Sequence, residues 1–243
     1  MFNEIKARLQ REAFLTTPLA IVISPVYIIR RGLYKNILQM APRITGDVLD
    51  LGCGRKPYES LFVNAKSYTG VDVEASGHNH KNSKVDYYYD GKTLPFPDNH
   101  FDAVVSFEVF EHVFNIDDVF VEIRRVLKPG GQLFITLPFA LYEHEMPFDF
   151  ARYTSCGIKH VFEKNKFEVL EISKTTTYFM AVCQLFIAYL AQGVLPKNAV
   201  VSRFFQLVLI FPLNIISILF NAVLPKRYEL FCNCVVLGKK PNY

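Results

Sequence analysis

Val48-Leu49-Asp50-Leu51-Gly52-Cys53-Gly54-Arg55-Lys56-Pro57-Tyr58 reads as an apolar strand that carries an acid, turns on two glycines and leads toward a helix. Gly52 and Gly54 let the main chain approach a ligand where a Cβ would collide. About twenty residues on, a second apolar run ends in Gly70-Val71-Asp72-Val73-Glu74. A carboxylate at that place can accept hydrogen bonds from ribose hydroxyls. The pair of motifs predicts a strand, a glycine turn and a second parallel strand that bind a nucleoside-containing cofactor.

Charge decides which nucleoside. A dinucleotide site offers glycines and a helix N-terminus to an anionic pyrophosphate. Here Asp50 precedes the turn and Pro57 stands where a third glycine would fall. An acid repels phosphate but suits the ammonium end of a methionine moiety, so S-adenosylmethionine is the expected cofactor.

Three further runs follow in order. They are Asp90-Gly91-Lys92-Thr93-Leu94-Pro95-Phe96-Pro97-Asp98-Asn99-His100-Phe101-Asp102, Phe107-Glu108-Val109-Phe110-Glu111-His112-Val113 and Arg125-Val126-Leu127-Lys128-Pro129-Gly130-Gly131. With the glycine turn they resemble the class I methyltransferases over roughly residues 45–173. The resemblance implies that Asp90 receives the adenine amino group, and that Asp50, Gly52, Cys53, Gly54, Asp72, Val73, Gly91 and Glu108 line the cofactor site. A loop cap is the alternative for Asp90, and a helix cap for Glu108. Many members of that family carry glycine where Lys56 stands, so an altered rim of the methionine pocket is expected. The string GCGRKPY is similar to that of members associated with polysaccharide and cell-envelope biosynthesis.

Apolar runs alternating with helical patterns predict strands near Asp47–Leu51, Tyr68–Val73, Val85–Tyr89, Ala103–Phe107, Gln132–Leu137, Phe167–Ile172 and Leu230–Val236. The expected fold is α/β: a Rossmann-like, seven-stranded, mostly parallel, doubly wound sheet. Asn115 and Thr154 are expected to cap two of its helices. An N-terminal amphipathic and apolar helical extension covers 1–44, the cofactor-binding core 45–174, an apolar helical hairpin 175–225 and the last strand 226–243.

The run from Pro138 to Thr154 follows the fifth strand and is expected to overhang the transferable methyl as the acceptor site. His144 is the candidate general base, and Glu145, Asp149, Arg152 and Tyr153 are candidates for substrate binding. The competing reading is that His144, Asp149 and Arg152 brace the loop. His112 is expected to anchor its helix. His78 and His80 lack companions at ligand spacing and read as loop residues, so no metal is expected.

The 243 residues are 51% hydrophobic and 14% aromatic with a net charge of +4, and mean hydropathy is +0.16. That charge is scattered, which argues against nucleic acid as a partner. Five cysteines, an odd number without ligand spacing, suit reduced buried thiols. Glu4 and Glu12 precede the apolar run Leu19–Ile29, and Arg30-Arg31 ends it, so a cleaved leader is not expected.

Thr175–Pro196 and Phe204–Pro225 lack formal charge, and the second is long enough to span a bilayer. Lys197 and Arg203 in the connector, with Pro212, Asn214 and Asn221 in the second stretch, favour a membrane-embedded or re-entrant hairpin over two clean spans. A homodimer interface is the alternative. The sequence thus predicts a methyltransferase at the cytoplasmic face of the membrane. Its acceptor is expected to be a hydroxyl of a lipid-linked saccharide or related envelope precursor. The rivals are methylation of a membrane lipid or quinone, and a non-catalytic adenosylmethionine-binding module.

Overall fold

The computed structural model describes residues 16, 20–74, 83–196 and 198–242. His78 and His80, and most of the first 19 residues of the expected N-terminal extension, lie outside them. The chain forms two compact units, Ile37–Ser173 with Cys234–Tyr243, and Met1–Asn36 with Lys174–Asn233.

The first unit is built on seven strands: β1 (Gly46–Leu51), β2 (Ala65–Val73), β3 (Tyr87–Tyr89), β4 (Phe101–Phe107), β5 (Leu127–Pro138), β6 (Glu168–Lys174) and β7 (Asn233–Lys239). Their order is β3-β2-β1-β4-β5-β7-β6, and β1 pairs in parallel with both β2 and β4. This is the expected Rossmann-like sheet. The chain winds outward from β1 in one direction and from β4 in the other, so their carboxyl ends open on a shared crevice.

Several boundaries differ from expectation. β5 begins at Leu127, directly after the helix Ile116–Val126, and takes in Lys128-Pro129-Gly130-Gly131. Gly130 supplies a φ of +77° there, and the tertiary pairing with β4 extends the strand back from the predicted Gln132 through this glycine-containing run. β7 starts three residues later than predicted, at Asn233.

Thr154 caps the helix Ser155–Lys164 as expected, its side chain accepting from Gly157 N at 3.0 Å. Asn115 occupies the cap position of Ile116–Val126, but its side chain makes no capping bond. Asp117 in the first turn of that helix meets Lys164 and accepts from Asn165 Nδ2 at 2.8 Å.

The face Val119, Phe120, Ile123 and Val126 is buried. Phe120 holds Phe110, Phe162 and Phe167 at ring-centroid distances of 5.5, 5.1 and 5.8 Å. Phe162 in turn covers Gly238 of β7, where a Cβ would stand 2.6 Å from its ring. Lys240, just after β7, donates to Asn99 Oδ1 at 2.9 Å and to the carbonyls of Arg124 and Leu127. The last strand is therefore locked from both sides.

The second unit is helical: Tyr178–Tyr189 continues through a π-turn to Val194, and Ala199–Phe205 continues through another to Phe211–Val223. Its centre is Ile28, Met180, Ile187 and Ile210. The polar residues expected to interrupt the second stretch turn inward. Asn214 is fully buried and donates to the carbonyl of Ile21 at 3.1 Å, and Asn221 Oδ1 accepts from Thr177. Gln184 donates to the carbonyl of Pro25 at 2.8 Å. Pro212 lies inside the continuous helix Val200–Val223, directly after the π-turn Gln206–Ile210, where the widened turn accommodates its missing main-chain donor.

Phe120→Ala is expected to lower the unfolding free energy of the full chain by about 3–5 kcal/mol, as deletion of a buried aromatic does. Denaturant titration checks this; a loss below about 1 kcal/mol would show that the four-phenylalanine cluster does not hold the helix to the sheet.

Candidate active site

The glycine turn follows β1 directly. Gly52 and Gly54 have φ of +71° and +47°, which L side chains rarely adopt. A Cβ on Gly52 would lie 2.5 Å from Val109, whereas one on Gly54 would meet no atom within 4 Å. Gly52 therefore serves the close approach of the β1 and β4 turns, and Gly54 leaves a cradle open to a ligand. Gly54 N donates to Asp72 Oδ2 at 3.0 Å, and Val73 N donates to Asp72 Oδ1 at 2.8 Å. Two main-chain bonds thus fix the Asp72 carboxylate beside the cradle, where remaining lone pairs can accept from a ribose.

Asp50 is only 2% exposed and accepts from Tyr68 Oη at 2.8 Å. Burial raises its pKa to about 7, against the hydrogen bond from Tyr68 and the charge of Lys56. It is a carboxyl held beneath the turn, poised to ionise when a cation arrives. Cys53 is buried too, and its Sγ packs over Gly70, so its thiol does not line the cradle. Burial pushes that thiol well up.

Lys56 corrects the expectation of an altered pocket rim. It adopts φ of +50°, which explains why glycine serves at this place, and its side chain lies over Gly70. Its Nζ pairs with Asp86 and also approaches the carbonyl of Tyr68 at 3.4 Å. Asp86 also accepts from Gly70 N at 2.6 Å, so Lys56 clips the turn to β2.

Asp90 Oδ1 accepts from Lys92 N and Thr93 N at 2.9 and 2.8 Å, which is the loop-capping arrangement. These bonds hold its carboxyl below the usual range. Gly91, at φ of +79°, lies beside Val73. Glu108 also has a positive φ, +57°, and accepts from Thr136 Oγ1 at 2.8 Å. The bend it makes sends the chain from β4 back across the crevice.

Past that bend lies a cluster that includes a residue the sequence reading left unassigned. Glu111 is 0% exposed, and among the described residues neither carboxylate oxygen has a hydrogen-bond partner. Burial, then the charge of Glu108, raises its pKa well above the carboxylate range. His112 Nδ1 bonds the carbonyl of Phe148 at 2.8 Å, and its ring meets His144 edge to face at 5.0 Å. Glu145 Oε2 lies 3.5 Å from His112 Nε2. His112 thus joins the acceptor loop and does more than anchor its own turn.

Asp149 accepts from the main chain of His144 at 2.8 Å and from both Nη atoms of Arg152. Arg152 also donates to the carbonyl of Tyr142. Two of the four groups expected to bind substrate, Asp149 and Arg152, thereby brace the loop, and the guanidinium holds the Asp149 carboxyl down at about 2. Burial lowers the pKa of His144, leaving a neutral imidazole near neutrality. Tyr153 is half-buried and lies within reach of the charge of Asp117. Around the loop stand exposed apolar side chains: Phe114 at 78%, Met146, Phe148 and Phe150, with Phe114 and Phe150 in contact at 5.5 Å.

This geometry agrees with the comparisons. Residues 49–135 match the family model described as a methyltransferase domain. A fatty-acid O-methyltransferase of Mycolicibacterium smegmatis is 36% identical over 99 residues, 37% of this chain and 36% of that protein. A probable S-adenosylmethionine-dependent methyltransferase of the same organism is 30% identical over 146 residues, 58% of this chain and 55% of that protein. Phosphoethanolamine N-methyltransferase 2 of Haemonchus contortus, solved with S-adenosyl-L-methionine, superposes with a TM-score of 0.52 at 20% identity, covering 86% of this chain and 53% of that one.

Residues 49–135 thus carry a methyltransferase domain on a Rossmann-like sheet, and S-adenosylmethionine is its cofactor. The chain spans about a third to just over half the length of these two curated relatives.

Asp72→Ala is expected to weaken adenosylmethionine binding about 10- to 100-fold, the loss of one or two charged hydrogen bonds. Calorimetry that finds unchanged affinity would remove Asp72 from the cofactor site. Because the Asp50 carboxyl titrates near 7, affinity for the cationic cofactor should rise with pH, by up to about 10-fold between pH 6 and pH 8. Asp50→Asn should flatten that profile, and an equally steep profile in the variant would show that another group sets it.

Proposed function

We propose that the protein transfers the methyl of S-adenosylmethionine to an oxygen of an acceptor that carries an apolar chain. The observation that carries this is the exposed rim of Phe114, Met146, Phe148 and Phe150 beside the buried acid and imidazoles of the acceptor loop. Exposed aromatics grouped around a cleft suit a lipid portion, while the polar cluster suits the reacting end. The fatty-acid O-methyltransferase relative supports an apolar acceptor. A hydroxyl of a lipid-linked saccharide or related envelope precursor satisfies both ends.

The acceptor oxygen attacks the methyl carbon in line, the carbon–sulfur bond breaks, and its electron pair passes to sulfur to leave adenosylhomocysteine. The acceptor proton leaves to a base of the loop cluster or to water. Holding oxygen, carbon and sulfur in register supplies most of the acceleration, up to ~7–11 kcal/mol in model systems.

The second unit supports action at a membrane, with the cytoplasmic face as its expected side. Val200–Val223 is 24 residues long with mean hydropathy 2.0, and 17% of its most apolar window is buried. Phe204, Leu207, Leu219, Phe220 and Val223 face outward while Asn214 and Ser217 are buried. Apolar outside and polar inside is the arrangement a bilayer rewards.

Membranes incubated with the full chain and methyl-labelled cofactor should place label in a lipid-linked saccharide fraction. Label in a phospholipid or quinone would favour that rival acceptor, and no label anywhere would leave a cofactor-binding module. Phe114→Ser with Phe150→Ser should raise KM for the acceptor about 10-fold with cofactor affinity unchanged. The full chain should need detergent for extraction; a monodisperse detergent-free oligomer would instead assign the apolar face to contact between copies.

A further inference from the structure

Glu111, His112 and His144 come from two segments that the sheet brings together, and their geometry asks for a cation. Glu111 Oε1 lies 3.7 Å from His112 Nε2 and 3.9 Å from His144 Nε2. One ligand atom from each of the three residues lies within 4.8 Å of the other two. Bonds of ~2.0–2.2 Å to a central ion would hold such atoms roughly 3.3 Å apart, so about half an ångström of closure suffices for the two glutamate–histidine pairs.

The buried carboxylate is otherwise unexplained. Both its oxygens are inaccessible and, among the described residues, without hydrogen-bond partners, a state that costs free energy whether the group is ionised or protonated. Protonation would leave an O–H donor facing imidazole nitrogens too distant to accept it. Arg152, whose charge reaches Glu111, commits both Nη atoms to Asp149, and its buried Nε makes no hydrogen bond to Glu111 or to any other described residue.

The imidazoles are already oriented. His112 Nδ1 is held by the carbonyl of Phe148, and His144 Nδ1 lies 3.3 Å from Asp149 Oδ2. The Phe148 carbonyl favours a proton on His112 Nδ1 and leaves the Nε2 lone pair facing Glu111. At His144, Asp149 Oδ2 at 3.3 Å favours the same tautomer and Arg152 Nη2, at 3.4 Å from Nδ1, opposes it, so metal binding at Nε2 selects the Nδ1–H form. Carbonyl or carboxylate behind each histidine is the usual support of an imidazole ligand to a metal.

We propose that Glu111, His112 and His144 bind a divalent first-row transition-metal ion, with Asp149 and the Phe148 carbonyl as its outer support. Two imidazoles and one carboxylate favour such an ion over magnesium or calcium, and three protein ligands leave positions open to an oxygen. His144 is then a ligand and not the base. Resting on the methyltransferase reading, the ion's role is to coordinate the acceptor oxygen and lower its pKa, so that its proton passes to water before the oxygen attacks the methyl.

The full chain, extracted in detergent, stripped with dipicolinate and dialysed, is titrated with Zn2+ against a chromophoric chelator; Mn2+ is a second probe. Adenosylhomocysteine binding is measured on the same samples as the test of folding. Wild type should take up one Zn2+ per chain. Glu111→Gln and His144→Asn should bind at least about 100-fold more weakly, and Asp149→Asn about 10- to 100-fold more weakly.

Wild type that binds adenosylhomocysteine yet takes up no more Zn2+ or Mn2+ than a folded Glu111→Gln or His144→Asn variant overturns the proposal. Metal uptake that depends on these residues in a chain that transfers no methyl supports the site and instead removes the methyltransferase reading. Transfer that persists after complete stripping overturns the ion's role in the reaction.

Discussion

The close approach of the β1 turn to the β4 turn is the constraint on which the active side of this molecule depends. Gly52 has no room for a Cβ because Val109 stands 2.5 Å from where it would be. Val109 follows Glu108, whose positive φ bends the chain at the carboxyl end of β4. The same contact therefore joins the cradle at Gly54 and Asp72 to the segment that carries Glu111 and His112. Parallel pairing of β1 with β4 sets both turns at one edge of the sheet, and the glycine lets them meet.

Electrostatics then divides the crevice into two regions. Below the cradle, Asp50 is buried with a pKa near 7, Asp72 is fixed by two main-chain donors, and Lys56 is withdrawn to Asp86. This leaves an acidic pocket suited to a cationic nucleoside. Beyond the β4 bend, Asp149 and Arg152 neutralise each other and hold the loop, and among the described residues the Glu111 carboxyl is left there without a hydrogen bond. A strongly charged ion pair serves as scaffold, and the uncompensated acid is where chemistry can occur.

The second unit follows a different logic. Its amides turn inward to cap main-chain carbonyls at Ile21, Ser24 and Pro25, and its phenylalanines and leucines turn outward. In water such an exterior would be costly by the area it exposes. The proposed membrane contact would remove that cost, and the buried amides keep their nitrogens bonded while Gln184 Oε1 and Asn214 Oδ1 make no hydrogen bond among the described residues.

The strands and the cofactor class were legible in the sequence because they rest on local signals: apolar runs for the strands, glycines at a turn, and an acid at each strand end. The places of Gly52 and Gly54 in the turn after β1 and of Asp72 near the end of β2 followed from spacing alone. The charge-free stretches likewise announced an apolar hairpin.

Which faces its polar residues take was not legible, since Asn214 and Asn221 find partners more than forty residues away. Lys56 read as a rim residue because a positive φ and a salt bridge to Asp86 leave no local trace. Asp149 and Arg152 read equally as ligands or braces until their mutual distance was known. Glu111 drew no notice beside His112, for its meaning comes from His144, thirty-three residues on. Short-range sterics wrote the sheet and the glycine turn into the chain; the meeting of a buried acid with two imidazoles arises only when strand pairing closes the distance between segments.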